Sequence, residues 1–247
     1  MEKLIKEFSG FSGSRIFLMQ NDNGHFVRKI GNIERNVERI TALSNTINMP
    51  KLYHVDKNYV DMEYLSGLDM KTYLLHKDID PLIDFLIDTL KKLSYNAEYK
   101  SYKQVFENKL SNIDFTLFPF GKVQLIKSLS ECYPESKYHG DFTLDNVIYC
   151  EQKKQFYMID PLTTEYDSFI FDLAKLTQDL RCGWFVRNSN VNLTSKLQAI
   201  YDAVTSEFEY PFNDSLTIAM LLRVYPYCKT DFDKQFIINN VRNLWTS

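Results

Sequence analysis

The segment HGDFTLDN, residues 139–146, gathers His139, Asp141, Asp145 and Asn146 into one short polar stretch. Asp141 and Asn146 stand five residues apart, and Asp160 follows in FYMIDP. From His139 to Leu180 the chain carries eight Asp or Glu against three Lys. Like charges crowded together destabilise a fold unless they are solvated or share a cation. Two carboxylates and an amide oxygen are hard donors, the set that suits Mg²⁺ held together with substrate phosphates. A single aspartate here would be an ordinary capped turn. Asp141, Asn146 and Asp160 spaced across a hairpin point instead to a phosphate-handling site.

Elements must bring these residues together. The apolar runs VIYC and FYMID, joined by the charged turn EQKKQ, predict two short strands whose pairing draws Asn146 and Asp160 to one end. Upstream, RIFLMQ and HFVRKI flank NDNG, a hairpin signal. In FVRKI, strand alternation puts Val27 and Lys29 on one face and Arg28 on the other. IERNVERITALSN has Ile33, Val37, Ile40 and Leu43 at helical spacing, and KLYHV and YVDMEYL predict two further strands. After Gly67 the character changes to amphipathic helices. DIDPLIDFLIDTLKKL is the clearest, with Asp80 as expected N-cap and Pro81 in the first turn. YKQVFENKLSNI and GKVQLIKSLSECY also predict helices, as does most of the chain from Asp172 onward.

The expected architecture is α+β and bilobal. Residues 1–66 form a small N-terminal antiparallel sheet with one helix, and residues 67–247 form a larger, mainly helical lobe carrying the polar hairpin. A cleft between two such lobes is the natural place for a ligand. The 247 residues, 45% apolar and 15% aromatic, suffice for a sizeable core. A net charge of −3 with no long basic stretch gives no footprint for nucleic acid. The four cysteines are widely spaced, which argues against a zinc site or disulfide framework and fits a reducing compartment. The N-terminal residues lack the apolar core of a signal peptide, and no run approaches a membrane span. A soluble cytoplasmic protein is expected.

His139-Gly140-Asp141 with Asn146 five residues after the aspartate, then Ile159-Asp160-Pro161, resembles the aminoglycoside phosphotransferase and choline kinase-like family. Those are small-molecule kinases on a protein-kinase-like fold. The resemblance implies ATP and Mg²⁺ as cofactors and assigns roles. Asp141 would be the catalytic base toward the attacking hydroxyl, and Asn146 and Asp160 would ligate Mg²⁺ at the ATP phosphates. His139 would brace the loop. Asp172 would order it, or would be a plain charge at a helix N-terminus. Val27 would lie against adenine and Lys29 would reach the phosphates. Glu38 is the chosen ion-pair partner of Lys29, with Glu34 one turn earlier as competitor. FSGFSGSRIF resembles a nucleotide-covering hairpin in which Ser12, Gly13 and Ser14 would offer N–H groups to phosphate. MEYLSGLDM resembles the family's hinge, with adenine bonding backbone near Glu63 and Leu65 and Met62 lining the pocket.

Asp160 and Asp172 are only twelve residues apart, with no APE motif between or soon after. That leaves little room for peptide docking, so a small-molecule hydroxyl is the expected acceptor. Tyr201, Glu207, Glu209, Tyr210, Tyr225 and Tyr227 could form an aromatic-acidic pocket for a quaternary ammonium, or could be core and surface. Trp184, Arg181 and Arg223 could meet a sugar or an anionic group instead. A sugar or sugar-like alcohol is placed slightly ahead of choline or an aminoglycoside. The rival readings are a pseudokinase or scaffold, a protein kinase, and a nucleotidyltransferase on the same fold.

Overall fold

The computed structural model describes residues 2–8, 14–95, 98–208 and 213–246. In chain order the N-terminal elements are β1 (Lys3–Phe8), β2 (Arg15–Asn21), β3 (Gly24–Ile30), α1 (Glu34–Leu43), β4 (Leu52–Val55), β5 (Tyr59–Glu63), β6 (Gly67–Asp69) and α2 (Met70–His76). Then come α3 (Asp80–Leu93), β7 (Glu98–Ser101), α4 (Lys103–Lys109), α5 (Lys122–Ser128) and β8 (Cys132–Glu135). The hairpin β9 (Val147–Cys150) and β10 (Gln155–Met158) precedes α6 (Phe169–Leu180), α7 (Thr194–Ser206), α8 (Asp214–Val224) and α9 (Asp231–Thr246).

The chain divides into two compact units: residues 1–73 with 145–163, and residues 74–144 with 164–247. This is not the contiguous division at residue 66 that the sequence suggested. The reason is strand pairing: β9 joins β6, with Gly67 opposite Cys150, and takes the polar hairpin into the N-terminal unit. Gly67 is required there. A β-carbon at that position would lie 1.9 Å from the Tyr149 carbonyl oxygen, so the two strands could not approach.

In the first unit a five-stranded antiparallel sheet runs in the order β1-β2-β3-β5-β4. The NDNG turn closes β2 on β3 as expected. Asn21 pairs with Gly24, and the Asn21 side chain accepts the Asn23 N–H at 2.9 Å. Across β3 and β5, Val27 faces Met62 and Arg28 faces Asp61. Arg28 is bound by the Asp61 carboxylate at 2.7 Å and by Glu2, which leaves Lys29 to the other face. The second sheet has the order β10-β9-β6.

In the second unit every residue of α6 is buried, and α7 and α8 pack against it. The high aromatic content is spent here. Phe171 meets the rings of Tyr102, Phe106, Tyr133 and Tyr166 at centroid distances of 4.8, 5.9, 5.3 and 4.9 Å. Offset and edge-on pairs of this kind add about 0.5–1.5 kcal/mol each beyond area burial. Local differences from expectation are small. The C-terminal end of the expected helix GKVQLIKSLSECY is instead the start of strand β8, which pairs with β7 just ahead of the YKQVFENKLSNI segment, Glu98 to Glu135 through Ser101 to Cys132. α3 is capped at Ile79, one residue before Asp80. No helix among the described residues is long and apolar enough to cross a membrane.

Candidate active site

α6 carries buried Asp172, Lys175 and Asp179 in an otherwise largely apolar sequence. Spacings of three and four place them along one helix face. Buried charges require partners, and all three find them in the loop 139–144. The Asp172 carboxylate accepts the N–H of His139 at 2.5 Å and of Gly140 at 2.8 Å. Asp179 accepts the N–H of Leu144 at 2.7 Å. Lys175 Nζ lies 3.1 Å from Asp141 Oδ1. From α8, Arg223 donates to the Gly140 carbonyl at 3.2 Å. Gly140 has φ +86°, a left-handed conformation that favours glycine. The loop's N–H groups are thus held at both ends, with the Asp141 side chain between them still 36% exposed.

His139 is wholly buried, its ring edge-on to Phe142 at 5.9 Å and its backbone N–H bonded to Asp172. Burial is the largest influence on Asp172 and pushes its carboxyl up to about 7, against the stabilising His139 and Gly140 N–H groups. Burial is also the largest single influence on Asp141 and acts upward. The charges of Lys175 and Arg223, the Lys175 hydrogen bond and the His139 charge together outweigh it and hold that carboxyl below its ordinary value. Two carboxyls on neighbouring backbone therefore have opposite tendencies, the pattern expected where one is structural and one is kept ionised.

The N-terminal unit holds the other half of the expected set. Asp160 ends the β9–β10 hairpin with φ +54°, a strained position for a non-glycine residue. The Ile159 N–H donates to the Asn146 carbonyl at 2.9 Å, extending the hairpin one step beyond the Val147–Met158 pair. Asn146 and Asp160 therefore lie at the same end of the hairpin. Buried Lys29 reaches from β3 to ion-pair with Asp160 Oδ1, and Asn36 Nδ2 donates to the same oxygen at 3.0 Å. Asn36 also donates to the Pro161 carbonyl at 2.9 Å.

Glu38 does not fill the place expected of it. Its carboxylate accepts from the Thr163 hydroxyl at 3.2 Å, and Lys29 is paired with Asp160. The reason is the helix face. α1 buries Ile33, Asn36, Ile40 and Leu43, and Glu38 lies about 200° round the helix from Asn36. Glu34 is displaced from Asn36 by the same angle in the opposite sense and is exposed. Asn36 is the residue that sequence reasoning missed, although its place on the apolar stripe was the available signal. Asn36→Leu, which keeps the number and branching of side-chain heavy atoms and removes both N–H donors, is expected to cost roughly 1–3 kcal/mol, read from the urea midpoint. No change in that midpoint would mean the two bonds are not formed in solution.

Of the hinge residues, Leu65 is buried with Cys150 and Tyr157 and packs on Ile148 and Ile159. The Glu63 side chain is ion-paired with Lys153, and its N–H donates to the Lys51 carbonyl at 2.8 Å. Ser14 lies against Gly31, whereas Ser12 and Gly13 fall outside the described residues. Asp145 faces Lys71 at 3.8 Å. In the C-terminal helices, Arg181 is paired with Asp214 and sits 6.0 Å over the Tyr201 ring. Arg187 is paired with Asp233 and lies 3.5 Å over Trp184, while Glu207 binds Lys91 at 2.6 Å. Tyr225 meets Phe118 edge-on and Tyr227 is 79% exposed; Glu209 and Tyr210 fall outside the described residues.

Solved structures of small-molecule kinases superpose on the chain. A thermostable variant of the aminoglycoside phosphotransferase APH(4)-Ia, in complex with AMP-PNP and hygromycin B, matches with TM-score 0.69 at 9% identity, over 98% of this chain and 92% of that one. The fold is the protein-kinase-like fold of these enzymes. A Plasmodium vivax ethanolamine kinase matches with TM-score 0.55 at 12% identity, covering 99% and 81% of the two chains. A candidate fructosamine-3-kinase from Haemophilus somnus gives 0.61 at 12%, covering 97% and 92%. No protein-family model and no curated protein matches the sequence.

Proposed function

We propose that this protein is an ATP-dependent phosphotransferase that moves the γ-phosphoryl group to a hydroxyl of a small molecule. The observation that carries the proposal is the Lys29–Asp160 pair, formed at the end of the hairpin where Asn146 also lies. A buried lysine ion-paired to a carboxylate at the end of a hairpin, with the Asn146 backbone bonded beside it, supports a polyphosphate and divalent-cation site rather than a structural ion pair alone. The superposed kinases, one of them bound to AMP-PNP, support the nucleotide assignment.

The donor set fits Mg²⁺. Lys29 and Asn36 both bind Oδ1 of Asp160, and a carboxylate together with an asparagine at the same hairpin end are residue types whose oxygens suit Mg²⁺. Asn146 and Asp160 would hold the ion, which when bound would neutralise phosphate charge. Lys29 would place its ammonium on the phosphates, with Val27, Met62 and Leu65 as apolar surface for the base and backbone near Glu63 and Leu65 for its polar edge. Ser12, Gly13 and Ser14 would cover the phosphates. Asp141 orients the acceptor. The acceptor oxygen bonds to the γ-phosphorus, the bond from that phosphorus to the β–γ bridging oxygen breaks, and ADP leaves with that oxygen. The acceptor's proton passes to the Asp141 carboxylate. His139 and Asp172 hold the loop and touch no reactant.

Acceptor charge can be argued from the rings. A quaternary ammonium needs open aromatic faces. Tyr201 and Trp184 already carry the guanidinium groups of Arg181 and Arg187, and Arg223 lies 5.5 Å over Tyr166. With the Tyr201 ring so occupied, a neutral, sugar-like alcohol is placed ahead of choline. The four cysteines are free thiols, which supports a reducing compartment such as the cytoplasm.

The test is ADP release with Mg²⁺-ATP across a panel of sugars, polyols, choline and aminoglycosides, with mass spectrometry of the product. A gain of one phosphate on a neutral alcohol is expected. Transfer of AMP, or no acceptor-stimulated turnover with any compound, would overturn the reading. Asp160→Ala should weaken Mg²⁺-dependent nucleotide binding by at least about tenfold, a loss of about 1.4 kcal/mol. An unchanged Kd by calorimetry would remove Asp160 from the metal site.

A further inference from the structure

Asn36 is a buried amide on the apolar stripe of α1, 5% exposed and lined up with Ile33, Ile40 and Leu43. A polar side chain in such a place lowers stability unless its hydrogen bonds offset the loss of solvation. Its Nδ2 donates to two acceptors, Asp160 Oδ1 at 3.0 Å and the Pro161 carbonyl at 2.9 Å. One amide thus ties the Asp160 side chain and the backbone after it to the same helix. Asp160 sits at φ +54°, a conformation that persists only where the surroundings over-determine it. The Thr163 hydroxyl donates to the Arg35 carbonyl at 3.0 Å and adds a third tie from this segment to α1. All of these residues belong to the first compact unit.

Asp160 Oδ1 has two donors of different kinds. Lys29 brings a full positive charge, and it ion-pairs with Asp160 and with no carboxylate of α1. Asn36 brings a neutral N–H. An ammonium on a carboxylate offsets the negative charge that attracts a divalent cation, whereas an amide fixes the group and leaves its charge intact. We propose that Asn36 is the positioning residue for Asp160: it keeps that carboxylate in place when Lys29 leaves it for the phosphates of the nucleotide. The proposal rests on the reading of Lys29 and Asp160 as phosphate-binding and metal-binding residues. Lys29 and Asp160 neutralise each other as they stand, so each must be released from the other to act. When the ammonium exchanges the carboxylate for phosphate oxygens, Asp160 loses its ion pair and gains rotamer freedom. The two Asn36 bonds remove that freedom, and they do so from a helix rather than from a loop.

Calorimetry of AMP-PNP binding, with Mg²⁺ and with EDTA in its place, tests this in wild type, Asn36→Leu, Asp160→Ala and the double variant. Asn36→Leu should weaken Mg²⁺-dependent binding by about tenfold or more and leave metal-free binding within about threefold of wild type. On the Asp160→Ala background the same substitution should change the Mg²⁺ value by less than about twofold, because the residue it acts through is gone. A general loosening of the sheet and helix would instead weaken binding with and without metal and on both backgrounds. An Asn36→Leu variant with wild-type Mg²⁺ dependence, or with equal losses on the two backgrounds, overturns the proposal. The second measurement needs no variant. In isotope-labelled wild type, the Asn36 side-chain amide is expected to stay protected from hydrogen exchange when Mg²⁺ and AMP-PNP bind, while the Lys29 Cε resonance moves as its partner changes. Loss of Asn36 protection on loading, or an unmoved Lys29, also overturns the proposal. A wild-type protein that binds no AMP-PNP in either condition sinks the kinase reading itself, and this role of Asn36 with it.

Discussion

Asp141→Asn is expected to lower turnover by roughly 10²–10⁴-fold while Mg²⁺-ATP binds with its wild-type affinity. Asparagine is the informative replacement because its amide oxygen can still accept from Lys175, so the neighbouring ammonium is not stranded. What it cannot do is take a proton or present an anion to the acceptor hydroxyl. Asp141→Ala should lose as much activity and also some stability, since it leaves Lys175 buried without its partner. The contrast is useful: equal activity loss in both variants, with a lower Tm only in the alanine form, assigns the activity to the carboxylate rather than to the loop. Turnover surviving in the asparagine variant would refute the assignment of the base. Nucleotide binding is measured alongside by calorimetry, because Lys29, Asn146 and Asp160 belong to the other unit and are untouched by the substitution.

Asp172→Ala should be the most destabilising of the polar substitutions. It removes the acceptor for two buried N–H groups, each costing about 1–3 kcal/mol when left unsatisfied, so a loss of roughly 2–6 kcal/mol is expected from urea unfolding. The pH dependence carries more information. The folded Asp172 carboxyl is pushed up to about 7, while the unfolded one titrates near its ordinary 3.8. Between those values the folded state binds a proton that the unfolded state has released. Stability from this group is therefore fully present below about pH 4 and falls as pH rises through about 7, at most about 1.4 kcal/mol per unit. Asp172→Asn cannot titrate. Its stability relative to wild type should improve steadily from pH 4 to 7 and then level off. A difference that is constant across that range would show that the two N–H groups, and not burial, control the carboxyl.

Much of this molecule was present in local patterns. Period-two alternation in FVRKI put Lys29 opposite Arg28, and the structure gives each its own partner, Asp160 and Asp61. The NDNG turn and the VIYC–FYMID hairpin formed where short-range chemistry places them, because a two-residue turn and strand register are set by the residues themselves. The order of lysine, catalytic loop and hairpin aspartate was enough to suggest the fold. Helix geometry would also have yielded Asn36, which lies with Ile33, Ile40 and Leu43, had the buried stripe been read by angle and not by apolar identity alone.

The sequence by itself determined which residues could do the chemistry and which short elements deliver them, since turn type, alternation and helical spacing depend on neighbours along the chain. Only the tertiary structure decided the pairings. Asp172, Lys175 and Asp179 meet residues 139–144 across more than thirty positions of sequence, and one-dimensional hydropathy cannot say which face of an all-buried helix meets which loop. The unit boundary was hidden for the same reason. The chain enters the second unit after Tyr73, returns to the first at Asp145 and leaves again after Thr163. That path follows from β9 completing a sheet begun at Gly67, a pairing of residues about eighty positions apart that no local pattern specifies.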